Sequence, residues 1–248
     1  MEARTVGRVA MAFRPDLTTI VVIGHITPVQ ARTVIEKYFG SWSAEGPKPE
    51  TLLPAVPLNK PSNVAVPNSS RVQDAVTLAE TLQLRRSNPG YYALNLGNHV
   101  LTGAFYATRL DRDLRESTGL VYTVDSALEA GRTRSIFAVS YGCDPGNVSK
   151  ARAIIERDLK EMQTQPIPND EFVRAKVLLL RQIPIAESSV QSIAQGLIYR
   201  TDQDLPLDEP TLAAQRYVKL TAHEVQEAFA KWIRADGLVE VTEGPPAR

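Results

Sequence analysis

Three histidines, His25, His99 and His223, are the only imidazoles in the 248-residue sequence, and they bound its metal chemistry. A hydrolytic zinc site needs two or three histidines or carboxylates that converge, with helical pairs spaced four apart. The run His223-Glu-Val-Gln-Glu227 comes near the His-Glu-x-x-His pattern, but its fifth residue is glutamate and no third ligand is evident. Glu224 is better used as the capping-box partner of Thr221 at a helix start. His25 follows the glycine that ends an apolar run, a turn position, and His99 lies in a mixed helical stretch, packed or hydrogen-bonded locally. Cys143 is the one cysteine, which excludes an internal disulfide framework and every cysteine-rich metal site. At a strand end it reads as a buried, inert thiol. The chain has no Gly-x-Ser-x-Gly elbow, no phosphate-cradling glycine loop and no dinucleotide fingerprint. This chain alone is therefore expected to hold no zinc and to cut no peptide.

The segment from Gly103 to Tyr122 carries the other possible chemistry. A helix over about 105–118 would turn Ala107, Leu110 and Leu114 inward. Its outer face would set Arg109 beside Asp113, Asp111 beside Arg115 and Arg112 beside Glu116, three or four residues apart. Gly119 stops the helix, and a strand follows at once with Leu120, Val121 and Tyr122. Arg115 in the last turn and Tyr122 on the adjoining strand can then point at a common surface. Arginine's fork of donors and a tyrosine hydroxyl suit a peptide carbonyl or a carboxylate. The plain alternative is a solvated charged face with Tyr122 in the core, since it shares parity with Leu120 and Val124.

The elements that must hold these residues follow from periodicity. Thr18 to Gly24 is a short β-branched run of strand type. Thr27-Pro-Val-Gln30 has the form of a helix cap, with Ala31, Val34, Ile35 and Tyr38 behind it and Gly40 as a left-handed stop. Six of the 17 prolines fall between Pro47 and Pro67, which reads as a semi-rigid linker. Val72, Val76, Leu78, Leu82 and Leu84 share one parity and predict a long strand. Helices are expected at about 89–101, 105–118, from Asp144-Pro145 to Met162, 169–183, 188–202, 208–219 and from Thr221 to Trp232. Strands are expected at 120–129, 134–142 and Gly237 to Thr242. Phe13 to Gly24 and Trp232 to Gly244 resemble each other, with the same interval from Asp16 to Gly24 and from Asp236 to Gly244. Read literally, residues 1–45 close one repeat, 46–71 link it, and 72–248 form a complete second repeat.

Composition narrows the class further. With 43% apolar and 23% charged residues, the chain is an ordinary globular one, and 28 basic residues balance 28 acidic ones. A binder of nucleic acid normally has a basic surplus, so that class is excluded unless charge is segregated. No apolar run is long enough to span a membrane.

The stretch Leu114-Arg-Glu-Ser-Thr-Gly-Leu-Val-Tyr122, preceded by Thr108-Arg-Leu110, resembles the pattern Ser-Arg-Leu…Leu-Arg-Glu-x-x-Gly-Leu-Ala-Tyr. That pattern is typical of the non-catalytic C-terminal repeat of the insulinase/pitrilysin-like zinc metallopeptidases. Asn88 to Gly103 is similar to the helix that precedes the motif in that family. Phe13 to Asp16, Val22 to Gly24 and Tyr38 to Trp42 are similar to the close of the preceding repeat. Departures are Thr108 for the usual serine and Asn98-His99 with Thr102-Gly103, where the family is richer in glycine.

The resemblance implies an α+β fold of the pitrilysin and mitochondrial-processing-peptidase type, with helices packed on a mostly antiparallel sheet. It implies that zinc sits in a complementary catalytic repeat, on a His-x-x-Glu-His helix absent here, and that Arg115 and Tyr122 bind the substrate peptide. The implied partners are a peptide, a zinc-bearing repeat or subunit, and other copies or subunits of an oligomer. The implied compartment is the periplasm or cell envelope. The alternative is a structural or assembly subunit of the same fold without proteolytic role.

Overall fold

Alternation along Asp74–Leu82 builds the centre of the molecule, because every second side chain there is buried. In the computed structural model, residues 13–246 are described apart from 104–107. Strands β1 (Ser62–Pro67), β2 (Asp74–Leu82), β3 (Val121–Ala130), β4 (Ser135–Cys143) and β5 (Val239–Gly244) form one sheet in the order β1-β5-β2-β4-β3. All pairs are antiparallel except β1 with β5, where Ser62 lies opposite Val239 and Pro67 opposite Gly244. The fold is the expected α+β one.

Helices α1 (Pro28–Phe39), α2 (Gly90–Thr102), α3 (Val148–Thr164), α4 (Asn169–Ala186), α5 (Val190–Asp202), α6 (Glu209–Lys219) and α7 (Ala222–Trp232) make up the rest, with a π-helix at Asp111–Glu116. Leu78 of β2 and Phe137 and Val139 of β4 meet Leu94, Leu96 and Leu101 of α2, Ile155 and Leu159 of α3, and Phe229 of α7 in one core. Helices α2 and α7 approach closely, and a Cβ at Gly97 would fall 2.1 Å from the Phe229 ring. Glycine there lets the helices touch. On the other face Thr77 and Ser140 hydrogen-bond across neighbouring strands at 3.2 Å. Among the described residues no helix is long and apolar enough to cross a membrane.

The predicted caps form. Thr27 with Gln30 and Thr221 with Glu224 are reciprocal capping boxes, and Ser189 with Ser192 adds a third. Four expectations are corrected. Residues 18–24 are not a strand, because among the described residues no neighbouring strand offers them hydrogen bonds, so their likeness to β5 ends at sequence. Gly40 is right-handed at φ −62°, and glycine fits there because a Cβ would meet the Glu36 carbonyl oxygen at 2.4 Å. The proline-rich segment closes in β1, a sheet-edge strand where Pro67 is tolerated. Val72 precedes the strand and is exposed, since β2 begins only where β4 ends at Cys143.

Candidate functional site

Leu110 and Leu114 are fully buried as expected, while Ala107 lies outside the described residues. The charged side is different from expectation. Ser117 N donates to Arg112 O at 2.8 Å, closing the wider ring of a π-helix, so residues four apart no longer stack squarely. Arg109 turns into the protein instead of pairing with Asp113, and its Nε and Nη2 both donate to Glu171 Oε2 on α4, at 3.1 and 2.7 Å. Arg112 does not need Glu116, since its Nη1 reaches Glu171 Oε1 at 2.7 Å and its Nε reaches Asp113 at 2.7 Å. Glu171 thus ties the π-helix to α4 through two guanidiniums. Single π turns of this kind recur at functional sites.

A second carboxylate lies under the same helix. Asp158 on α3 is wholly buried, its Oδ1 accepting from Arg157 Nε and Nη2 at 3.0 and 2.7 Å. Its Oδ2 has no hydrogen-bond partner among the described residues. Burial, opposed by Arg157 and reinforced by the charge of Asp113, pushes its acid up to about 6.

Gly119 turns the chain between the two predicted site residues. Its φ is +61°, the left-handed region, with its N–H donating to Arg115 O at 3.1 Å, while Leu120 N reaches Leu114 O at 2.9 Å. Arg115 lies exposed on the last turn of the π-helix. Beyond the turn, β3 opens with a bulge: Val121 pairs with Cys143 and Thr123 with Gly142, leaving Tyr122 as the extra residue. The bulge breaks the parity that would have put Tyr122 in the core. Val121 is buried, Val124 packs against the core, and Tyr122 between them is 51% exposed.

The Tyr122 hydroxyl donates to Asp144 Oδ2 at 3.0 Å, and that carboxylate holds the phenol above its ordinary pKa. The phenol therefore stays neutral, and a hydrogen bond from the Gln73 side chain to its oxygen opposes the rise only in part. Asp144 was expected only to open a helix. Its signal in sequence is its place directly after Cys143, beside the start of β3.

The histidines do not assemble a metal site. His99 Nδ1 lies 3.0 Å from Asn95 O and its Nε2 3.2 Å from Gln182 Oε1, so both ring nitrogens are engaged locally. His223 and Glu227 meet at 3.3 Å on α7, as their spacing allows, and both are exposed. His25 is exposed. Among the described residues no three His, Cys, Asp or Glu side chains are grouped to hold an ion, so the donor set does not fit zinc. Cys143 is buried, and burial with nearby Asp74 pushes its thiol up to about 11, which keeps it unreactive.

Residues 9–179 match the family model described as the peptidase M16 inactive domain. No match is found among curated protein sequences. Among solved structures, the chain is similar to a peptidase M16 inactive domain from Pseudomonas fluorescens, with 24% identity over 90% of this chain and 53% of that one, at a TM-score of 0.73. It is similar to a protease from Helicobacter pylori, with 15% identity over 90% of this chain and 54% of that one, at a TM-score of 0.78. It is also similar to the periplasmic protease PqqL of Escherichia coli, with 18% identity over 90% of this chain and 24% of that one, at a TM-score of 0.70. The chain thus spans about half the length of the first two and about a quarter of the third.

Proposed function

The chain belongs to the peptidase M16 inactive-domain family, and we propose that it is the peptide-holding, non-catalytic half of a zinc metallopeptidase. The observation that carries this reading is the β-bulge that turns Tyr122 out of the core, across the Gly119 turn from Arg115. The two groups are complementary to one peptide unit. Arg115 donates to a carbonyl oxygen, and the Tyr122 oxygen, its own proton spent on Asp144, takes a peptide N–H in place of the Gln73 side chain. Zinc, held in the complementary catalytic repeat, supplies the activated water. This half supplies orientation, which lowers a barrier by prepaying the entropy of alignment.

Residues 1–45 are in this reading the end of the preceding repeat, 46–71 a linker whose last part joins the sheet as β1, and 72–248 the non-catalytic repeat. In support, α1 buries none of its residues, and Val29 and Tyr38 stand exposed on it as a face for another segment. The periplasm or cell envelope is the compartment that goes with the reading, as for the Escherichia coli relative.

The test is kinetic, in the two-repeat enzyme. Arg115→Ala should raise KM and lower kcat with the unfolding transition unchanged. Loss of an arginine partner costs about 2–3 kcal/mol, or roughly 30- to 150-fold in kcat/KM. Tyr122→Phe should weaken peptide binding and leave folding intact. Unchanged kinetics in both variants would refute the clamp, and a complete assembly that cuts no peptide would point to a structural subunit instead.

A further inference from the structure

A cavity of about 270 Å³ lies among α2, α4, α5 and α6. Leu179, Ile183 and Ala213 give it apolar walls, and Arg86 and Arg200 line it as well. These two arginines are only 7% and 6% exposed. A guanidinium carries five N–H donors, and burying donors without acceptors is costly. Arg86 donates through Nη2 to Glu209, and its plane stacks 3.9 Å from the Tyr91 ring, leaving Nη1 without a hydrogen-bond partner. Arg200 is satisfied to the same degree. Its Nη1 meets Glu187 at 3.1 Å, and its buried Nε has no hydrogen-bond partner among the described residues.

The two carboxylates are not equivalent. Glu209 is buried and also accepts from the Tyr92 hydroxyl at 3.2 Å, so its pair with Arg86 is fixed. Glu187 follows the C-terminus of α4 directly and its side chain is 37% exposed, so it can leave Arg200 for solvent. Gly196, one turn before Arg200, keeps the approach open, because a Cβ there would sit 3.2 Å from Nη1. A buried cation faces a chamber with one apolar wall, and its present partner is replaceable.

We propose that this cavity binds a small aliphatic carboxylate, whose head takes the place of Glu187 on Arg200 and whose alkyl chain lies against Leu179, Ile183 and Ala213. Planar, bidentate recognition of a carboxylate is what a guanidinium does best, and the apolar wall beside it favours an alkyl carboxylate over a strongly hydrated anion such as phosphate. The site is independent of the peptide clamp, and either can fail without the other.

The experiment titrates the full chain with 4-methylvalerate, its amide 4-methylvaleramide, and inorganic phosphate, by calorimetry and by NMR of the arginine side chains. The acid should saturate and shift the Arg200 Nε–H resonance, with the amide and phosphate each weaker by about tenfold or more. Glu187→Gln should tighten binding of the acid by removing its competitor, and Arg200→Gln should abolish it. If Arg200→Gln does not fold, Gly196→Ala, which crowds the guanidinium, should weaken binding. Equal binding of acid and amide, equal binding of phosphate, no binding of the acid, or weaker binding by Glu187→Gln would each overturn the proposal.

Discussion

Replacing Asp158 by asparagine should make the protein more stable at neutral pH, although it removes a charge that two arginine nitrogens contact. The carboxyl is wholly buried, one oxygen has no hydrogen-bond partner among the described residues, and its acid is pushed from an ordinary value near 3.8 to about 6. A folded-state pKa above the unfolded one means that folding favours the protonated form. The associated stability is complete below about pH 4 and is lost as pH rises through about 6. At about 1.4 kcal/mol per pH unit, a rise of this size costs about 3 kcal/mol at pH 7.5. Asparagine has the shape of the protonated acid and no charge to desolvate. Urea unfolding of both proteins between pH 4 and 8 should therefore show near-equal stability at pH 4. The variant should lead by about 2–3 kcal/mol at pH 7.5, with the gap opening between pH 4 and 6. Parallel pH profiles, or a variant less stable than the parent at pH 7.5, would refute the reasoning and show the carboxylate to be a well-satisfied acceptor.

Three further outcomes can be checked by the same unfolding measurement. Glu171→Ala leaves the buried Arg109 without its carboxylate and frees Arg112, and should cost about 3–5 kcal/mol. Gly97→Ala drives a methyl into the Phe229 ring and should cost about 1–3 kcal/mol, partly recovered when Phe229→Leu is added. Gly119→Ala forces a side chain into left-handed backbone with open space around it, so the loss should stay near 1–2 kcal/mol. If the proposed clamp holds, it should also lower peptide affinity, because the chain turns at Gly119 between Arg115 and Tyr122.

Local patterns carried much of the fold into the sequence. The 3-4-4-3 spacing of Val148, Ala151, Ile155, Leu159 and Met162 is α3, and the parity of Val76, Leu78 and Leu82 is β2. The capping boxes at Thr27 and Thr221 need only four residues each. What stayed hidden depends on distant partners. A π turn at Asp111–Glu116 is held by Glu171, some 60 residues away, and helical spacing alone placed Arg109 on the wrong side. The bulge at Tyr122 is a property of two strands, so parity along one could not reveal it. Residues 18–24 have the composition of a strand and, among the described residues, no neighbour to make them one. The family motif brought out Arg115 and Tyr122 but not Asp144, whose hydrogen bond decides which way the tyrosine proton points.

The position of β5 dictates the order in which the sheet can be completed. Of the five described strands it is made last, yet it lies between β1 and β2, both synthesised well over a hundred residues earlier. A chain leaving the ribosome can zip β2, β4 and β3 together as soon as Cys143 has emerged. The backbone of β2 facing β5 then waits unpaired until Gly244 is free, and β1 has no neighbour at all. Such a waiting edge is open to any extended chain nearby. Closure by β5 ends that exposure and joins β1 to the rest of the sheet in one step, so the sheet is complete only once that strand has been made.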